Sequence, residues 1–200
     1  MDLNKIIQRA RALLVTPRTE WPVIAVEPTT VRDLYRDYFG VLAAIPPICQ
    51  FVKVSILGYA WHGFRIYRLG IGAGLTAAIV EYVMSLAAVY VLAIIVEALA
   101  PNFGGESNRL QALKVTGYAY TASWIAGVAL ILPGIAGLIL LAGALYSIYL
   151  FYLGLPITMK VAPQRATGYT AVVVISALVL GWIIAVITGG ITGVAWSDPR

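Results

Sequence analysis

Apolar residues run in long blocks along this chain, separated by short polar intervals that carry nearly all of the charge. A helix rises about 1.5 Å per residue, so about 20 apolar residues cross a hydrocarbon core of about 30 Å. Five blocks reach that length: about Tyr38–Ala60, Ile71–Ala98, Val115–Leu132, Ile135–Leu155 and Tyr169–Ile191. None alternates with period two, as an outer-membrane barrel strand would, and backbone groups at such depth must bond within their own segment. The pattern predicts an all-α polytopic membrane bundle of five transmembrane helices, with Pro133 and Gly134 turning the chain between the third and fourth.

A different period precedes the first block. Leu3, Ile6, Ile7, Ala10, Leu13 and Leu14 recur at helical spacing, while Lys5, Gln8, Arg9 and Arg11 mostly face away. This predicts a basic amphipathic helix ending near Thr16 and Pro17. It either lies on the cytoplasmic leaflet or packs on the cytoplasmic ends of the bundle. Thr19 is a candidate cap for a second short helix, with Glu20 near its positive end and Trp21 as an interfacial anchor. The chain thus divides into a cytoplasmic N-terminal segment (1–37), the five-helix bundle (38–192) and a short tail (193–200).

Composition agrees with this class. Of 200 residues 60% are hydrophobic and 12% charged, and mean hydropathy is +0.87. A soluble domain is about half apolar and a quarter charged. The net charge of +5 has no exposed domain on which to form a nucleic-acid patch, so it points to orientation and to anionic lipid. Ten Lys and Arg fall on the side of the N-terminus, counting the loops at Arg109 and Lys114 and at Lys160 and Arg165, against three at Arg65, Arg68 and Arg200. The expected orientation has the N-terminus cytoplasmic and the C-terminus periplasmic, with Trp196 at an interface.

The segment "AAIPPICQFVK" at 43–53 puts two prolines and a cation inside the first block. Pro46 and Pro47 predict a kink. Cys49, the single cysteine, can form no intrachain disulfide. Gln50 and Lys53 share a face with Pro46 and Cys49, and a lipid-facing cation at this depth costs at least about 2.5 kcal/mol. The second block returns antiparallel with Glu81. Two readings stay open: a buried Lys53–Glu81 ion pair, or Lys53 snorkelling outward with Glu81 protonated or bonded to a hydroxyl. Gln50, Lys53 and Glu81 together form the candidate intramembrane polar site.

Little in the chain suggests chemistry. "GIGAG" at 70–74 lacks the strand and the Lys-Ser or Lys-Thr of a phosphate loop and suits close helix approach instead. His62 is the one histidine and has no metal-ligand spacing. No catalytic triad, zinc motif or intramembrane aspartate pair is present. We therefore expect no catalytic, cofactor-binding or metal site, no cofactor and no enzyme. Glu97 reads as an interfacial acid near Arg109 or Lys114. Tyr146, Tyr149 and Tyr152 form a stripe on the fourth block that either bonds neighbouring helices or lines a polar cavity. Gly143 and Ser147 are a small-residue pair on the same block.

"TPRTEW", "YFGVLAAIPPICQFV", "NFGGESNRLQALKVTGYAYTASW" and "YSIYLFYLGLPITMKVAP" together resemble the Yip family of five-span membrane proteins, in its bacterial branch. The most specific positions are Gly117, Tyr118 and Thr121, with Tyr152, Gly154 and Pro156 in the "YLGLP" segment. Ala122 stands where the family commonly has proline, and "DLYRDYF" at 33–39 is similar to a motif of eukaryotic members. The resemblance implies a five-helix protein with a cytoplasmic N-terminus. Eukaryotic relatives engage small GTPases of vesicle traffic, a role that does not carry over to a bacterial chain. The expected function is a non-enzymatic inner-membrane protein that organises lipids or partner membrane proteins, other copies of itself included. The alternative is a small transporter, channel or lipid-moving protein with a polar cavity around Gln50, Lys53 and Glu81.

Overall fold

The computed structural model describes residues 3–61, 65–132 and 134–192, and it is built almost wholly of helix. His62, Pro133 and Trp196 lie outside the described residues. Four helical stretches are long and apolar enough to cross a membrane: Val31–Leu57, Ile71–Phe103, Ala136–Thr158 and Pro163–Ile187.

Two helices precede them. Helix α1 is Leu3–Val15 and α2 is Pro17–Val26. Ile6, Ala10 and Leu13 are buried on α1, while Leu3 and Ile7 are exposed, so only part of its apolar arc touches the bundle. Pro17 opens α2, where its missing N–H is not needed. The cap position is Thr16, not Thr19, whose hydroxyl donates to the Thr16 carbonyl from inside the first turn. Trp21 does not anchor at an interface; its side chain is completely buried.

The first stretch is segmented rather than merely kinked. It comprises α3 (Val31–Leu34), a π-helical turn at Tyr35–Phe39, α4 (Gly40–Leu42), α5 (Ile45–Phe51) and a second π-helical turn at Val52–Leu57. The proline pair occupies the first turn of α5, where the absent N–H groups cost nothing. Gly58 then takes a left-handed φ of 84°, and strands β1 (Tyr59–Trp61) and β2 (Arg65–Tyr67) pair antiparallel. The stretch therefore ends at Leu57 rather than Ala60.

Helix α6 (Ile71–Leu99) returns in one piece. Two tyrosines set its register against the first stretch: Tyr82 donates to the Gly40 carbonyl and Tyr35 to the Leu86 carbonyl, each at 3.0 Å. Near the far end Gly74 meets Ser55, whose Oγ would stand 1.9 Å from a Cβ on that glycine.

The predicted third span is not one helix. It is α7 (Arg109–Ala119), α8 (Thr121–Ala126) and a 3-10 turn at Gly127–Ile131, with a break at Tyr120. Every residue from Ala112 to Ala119 is buried, including the lysine. The remaining helices are α9 (Ala136–Thr158) and α10 (Pro163–Thr192). At one end of the molecule two loops meet: Glu106 donates its N–H to the Met159 carbonyl and its carboxylate pairs with Lys160, while Arg109 pairs with Glu97 across the base of the first loop.

At Gly117 of α7 and Gly154 of α9 the close approach is to a buried aromatic ring. A Cβ on Gly117 would lie 2.1 Å from Phe39 Cζ, and one on Gly154 would lie 2.8 Å from the indole of Trp21. Phe39 and Trp21 are both fully buried, so neither ring has space to yield. Gly117→Ala should lower stability by about 1–3 kcal/mol despite its better helix propensity. Gly72→Ala, at an open position of α6, should be neutral or slightly stabilising. Phe39→Leu added to Gly117→Ala should recover part of the loss. Thermal unfolding in detergent checks all three; a Gly117→Ala protein as stable as wild type would contradict the packing described.

Candidate functional site

The polar residues singled out from the sequence do not converge. No ion pair joins Lys53 to Glu81. The register explains this: Lys53 lies four residues before the end of its stretch at Leu57, and Glu81 lies ten after the start of α6 at Ile71. Six residues at helical rise is about 9 Å of depth. Gln50 Oε1 is buried without a hydrogen bond. Gln50, Lys53 and Glu81 line neither of the two cavities described below. Of the tyrosine stripe, Tyr146 bonds the neighbouring N-terminal segment through the Leu14 carbonyl at 2.8 Å, and Tyr149 and Tyr152 are exposed.

What the structure does bring together is the N-terminal segment and the motif residues. The bond network starts at Lys114. Its side chain is 2% exposed, and its Nζ donates to the carbonyls of Ile24 (2.8 Å), Ala25 (3.3 Å) and Glu27 (2.7 Å). Gln111 Nε2 adds a bond to Ala25 O at 2.9 Å. The last carbonyls of any helix lack intrahelical donors and carry partial negative charge. Here a cation and an amide from α7 close the end of α2. Burial holds the Lys114 ammonium below its ordinary range; the charge of Glu27 pulls the other way, and that of Arg9 adds to the lowering.

Arg9 forms the second tie. From α1 its guanidinium pairs with Glu20 in the first turn of α2 and with Glu27 beyond its end. The same group lies 6.0 Å from the ring centre of Tyr118, within cation–π range. One arginine thus links α1, α2 and α7.

The third tie is aromatic. Tyr118 packs on Tyr38 at 4.8 Å and on Phe39 at 5.6 Å between ring centres. The Tyr38 hydroxyl meets Thr121 Oγ1 at 3.0 Å, both buried. Gly117 admits Phe39, and Gly154 admits Trp21. Four of the six motif positions therefore build one dock for residues 3–39. Tyr152 and Pro156 touch that dock only through the helix they share with Gly154.

Between dock and arm lies an open cleft of about 610 Å³. Its wall carries Lys5, Glu20, Glu27, Asp33 and Asp37, with Tyr118 among the residues beneath. Its acids are neutralised within the structure: Glu20 and Glu27 by Arg9, and Asp37 and Asp33 by Arg36. Such a lining holds two segments together; it presents no activated nucleophile. Among the described residues no group of three His, Cys, Asp or Glu is placed to hold a metal ion.

The sequence reading counted Lys114 as a loop cation and Arg9 as part of a polar face. A lysine followed by the unbroken apolar and small residues of the next block was the available signal for the first. Arg9 left none, because its partners lie 11 and 18 residues away.

Comparison with known proteins identifies the family. The Yip1 domain family matches residues 11–191. Two relatives named Inner membrane protein YohC, from Escherichia coli strain K12 and from Escherichia coli O6:H1 strain CFT073, are each 25% identical over 182 residues. That alignment covers 90% of this chain and 91% of each relative. No solved structure matches the chain.

Lys114→Met, which keeps length and removes the ammonium, should cost about 3 kcal/mol by leaving the α2 carbonyls unpaired. The pH dependence has a definite sign. A lysine whose folded pKa is depressed binds fewer protons folded than unfolded between that value and its ordinary value near 10.5. Its contribution to stability therefore rises with pH across that window. The gap in unfolding temperature between wild type and Lys114→Met should widen from neutral pH towards 10. A gap that narrows would show that burial does not dominate at this lysine.

Proposed function

The chain belongs to the Yip1 domain family, and on that premise we propose that it is a non-enzymatic protein of the bacterial inner membrane whose docked N-terminal arm organises lipids or partner membrane proteins. The observation that carries this reading is the use made of the motif positions. Gly117, Tyr118, Thr121 and Gly154 are all engaged by Trp21, Tyr38, Phe39 and Arg9. A catalytic or transport site would leave such positions facing a reacting or passing molecule. The inner membrane is the place named for the relatives in Escherichia coli.

The reading includes five crossings. Its support is the path of residues 109–131: Arg109 holds Glu97 near one end of α6, Trp124 Nε1 meets Ser85 Oγ at 3.4 Å near the middle of α6, and a Cβ on Gly127 would lie 2.7 Å from Pro46 in the first turn of α5. A broken segment is tolerated at this depth because it is enclosed by protein. The N-terminus is assigned to the cytoplasm from the excess of Lys and Arg at the end where α2, Glu97 and Lys160 meet. Within this reading α1 sits at the cytoplasmic interface, its buried residues on the bundle and Leu3 and Ile7 towards lipid.

The transport alternative used a cavity around Gln50, Lys53 and Glu81, and none of these three residues lines the cleft beside the arm.

Removal of residues 1–16 tests the proposal. Crosslinking in native membranes should give a changed set of neighbours while the truncated protein remains membrane-inserted. An unchanged set would refute an organising role for the arm. In parallel, Gln8→Cys in a Cys49→Ala background should react with an impermeant maleimide only after the inner membrane is opened; labelling of intact spheroplasts would reverse the orientation.

A further inference from the structure

A second cavity, of about 200 Å³, lies where α6, the break between α7 and α8, α9 and α10 meet. Its place along the helices is central: Ala144–Phe151 falls in the middle of α9, and Val173–Leu178 begins ten residues into α10. Ala144 and Leu178 are exposed at its mouth. A crevice at that depth opens to hydrocarbon, so whatever enters it arrives through the lipid.

Its walls are apolar, from Leu92, Phe151 and Val173, but its floor is not. Thr116 is completely buried, lines the crevice, and its Oγ1 has no hydrogen-bond partner. A threonine inside a helix ordinarily bonds the carbonyl one turn back; Thr76, Thr158 and the serine at 176 do so here, and Thr116 does not. Beside it the helix break frees the Ser123 N–H, which Ser147 Oγ accepts at 3.1 Å. The two serine hydroxyls satisfy each other at 2.8 Å. Among the side chains that line the crevice, Thr116 carries the one polar atom that is fully buried without a partner. An unpaired hydroxyl in an apolar site is unfavourable, and this one lies in the wall of a space of about 200 Å³.

We propose that this crevice binds an uncharged lipid carrying one hydrogen-bonding oxygen, its chain lying against Leu92, Phe151 and Val173 and its oxygen meeting Thr116. A plain acyl chain leaves Thr116 unpaired. A charged headgroup is not stable against the apolar walls of Leu92, Phe151 and Val173. A helix of a second copy, about 10 Å wide with its side chains, does not enter so small a space. Long-chain alcohols have the required chemistry. The inference is independent of the role of the N-terminal arm, whose contacts lie on the other side of α7.

The test uses the full-length protein in nanodiscs of phosphatidylethanolamine and phosphatidylglycerol. Two photoreactive probes are compared: a diazirine-bearing hexadecanol and the matching hexadecane. The alcohol should label peptides spanning residues 116–123 and 173–178 about five-fold more than the alkane, the factor expected of one buried neutral hydrogen bond. Thr116→Val should remove that advantage and, with no bond to lose, should unfold no earlier than wild type without probe. Ala144→Phe, which fills the mouth, should abolish crevice labelling by both probes. Equal labelling by alcohol and alkane in wild type would overturn the proposal, as would an alcohol preference that survives Thr116→Val. Labelling blocked by chain-to-chain crosslinks through the crevice would overturn it in favour of a dimer interface.

Discussion

The ammonium of Lys114 is the contact around which the N-terminal arm and the helices beneath it are arranged. A buried cation is costly unless it is paired, and here its partners are backbone carbonyls rather than a carboxylate. Those carbonyls exist as acceptors only because α2 ends at Val26. The ammonium is therefore satisfied only when α2 is folded and in place, and α2 is finished only when α7 is beside it. The same reciprocity recurs at Arg9, which needs both Glu20 and Glu27 and so needs the whole length of α2. Each polar group spans elements that have no other reason to meet.

Lipid explains why such contacts are used. Between helices in a bilayer the hydrophobic effect supplies little, because acyl chains are as apolar as leucine. Specificity then comes from packing and from hydrogen bonds. Both are visible here: tyrosine hydroxyls reach carbonyls of adjacent elements from Tyr35, Tyr82, Tyr146 and Tyr169, and glycines let aromatic rings lie against backbone. The tyrosines set depth and the glycines set distance. Together they fix one arrangement among helices whose outer faces are nearly featureless.

The sequence disclosed what hydropathy alone decides. The helical stretches at Val31–Leu57, Ile71–Phe103, Ala136–Thr158 and Pro163–Ile187 were each anticipated within several residues. The N-terminal helix was visible in its period. The breaks were not. Proline announced the one before Ile45, but nothing at Tyr120 or Gly127 marks the division of the next segment, because a helix enclosed by protein can bend where neighbours accept its freed groups. Pairing of Lys53 with Glu81 failed for a related reason. Depth was counted from estimated ends, and a three-residue error in one end, at Leu57, moved the lysine by most of a helical turn. The dock was hidden altogether: Gly117, Tyr118 and Thr121 were noticed as a pattern, yet Phe39, Arg9 and Tyr38 lie about 80 to 110 residues away in the chain.

That separation has a consequence for how the motif is understood. A glycine, an aromatic ring and a hydroxyl at positions 117, 118 and 121 lie on one face of α7 and its continuation, and each is matched by a different feature of the arm: a ring edge, a guanidinium, a phenol. A surface so differentiated recognises one partner segment in one register, as a generic packing face does not. The recognition is internal in this structure, since the chain's own residues 3–39 occupy it. An arm held by a single lysine at the end of α2, a single arginine that bridges both ends of α2 and two inserted rings is a unit that docks as a whole. Its outer surface carries the exposed Leu3 and Ile7 beside Lys5 and Arg11, and under the proposed organising role that is the face a bilayer headgroup layer or a neighbouring protein would meet.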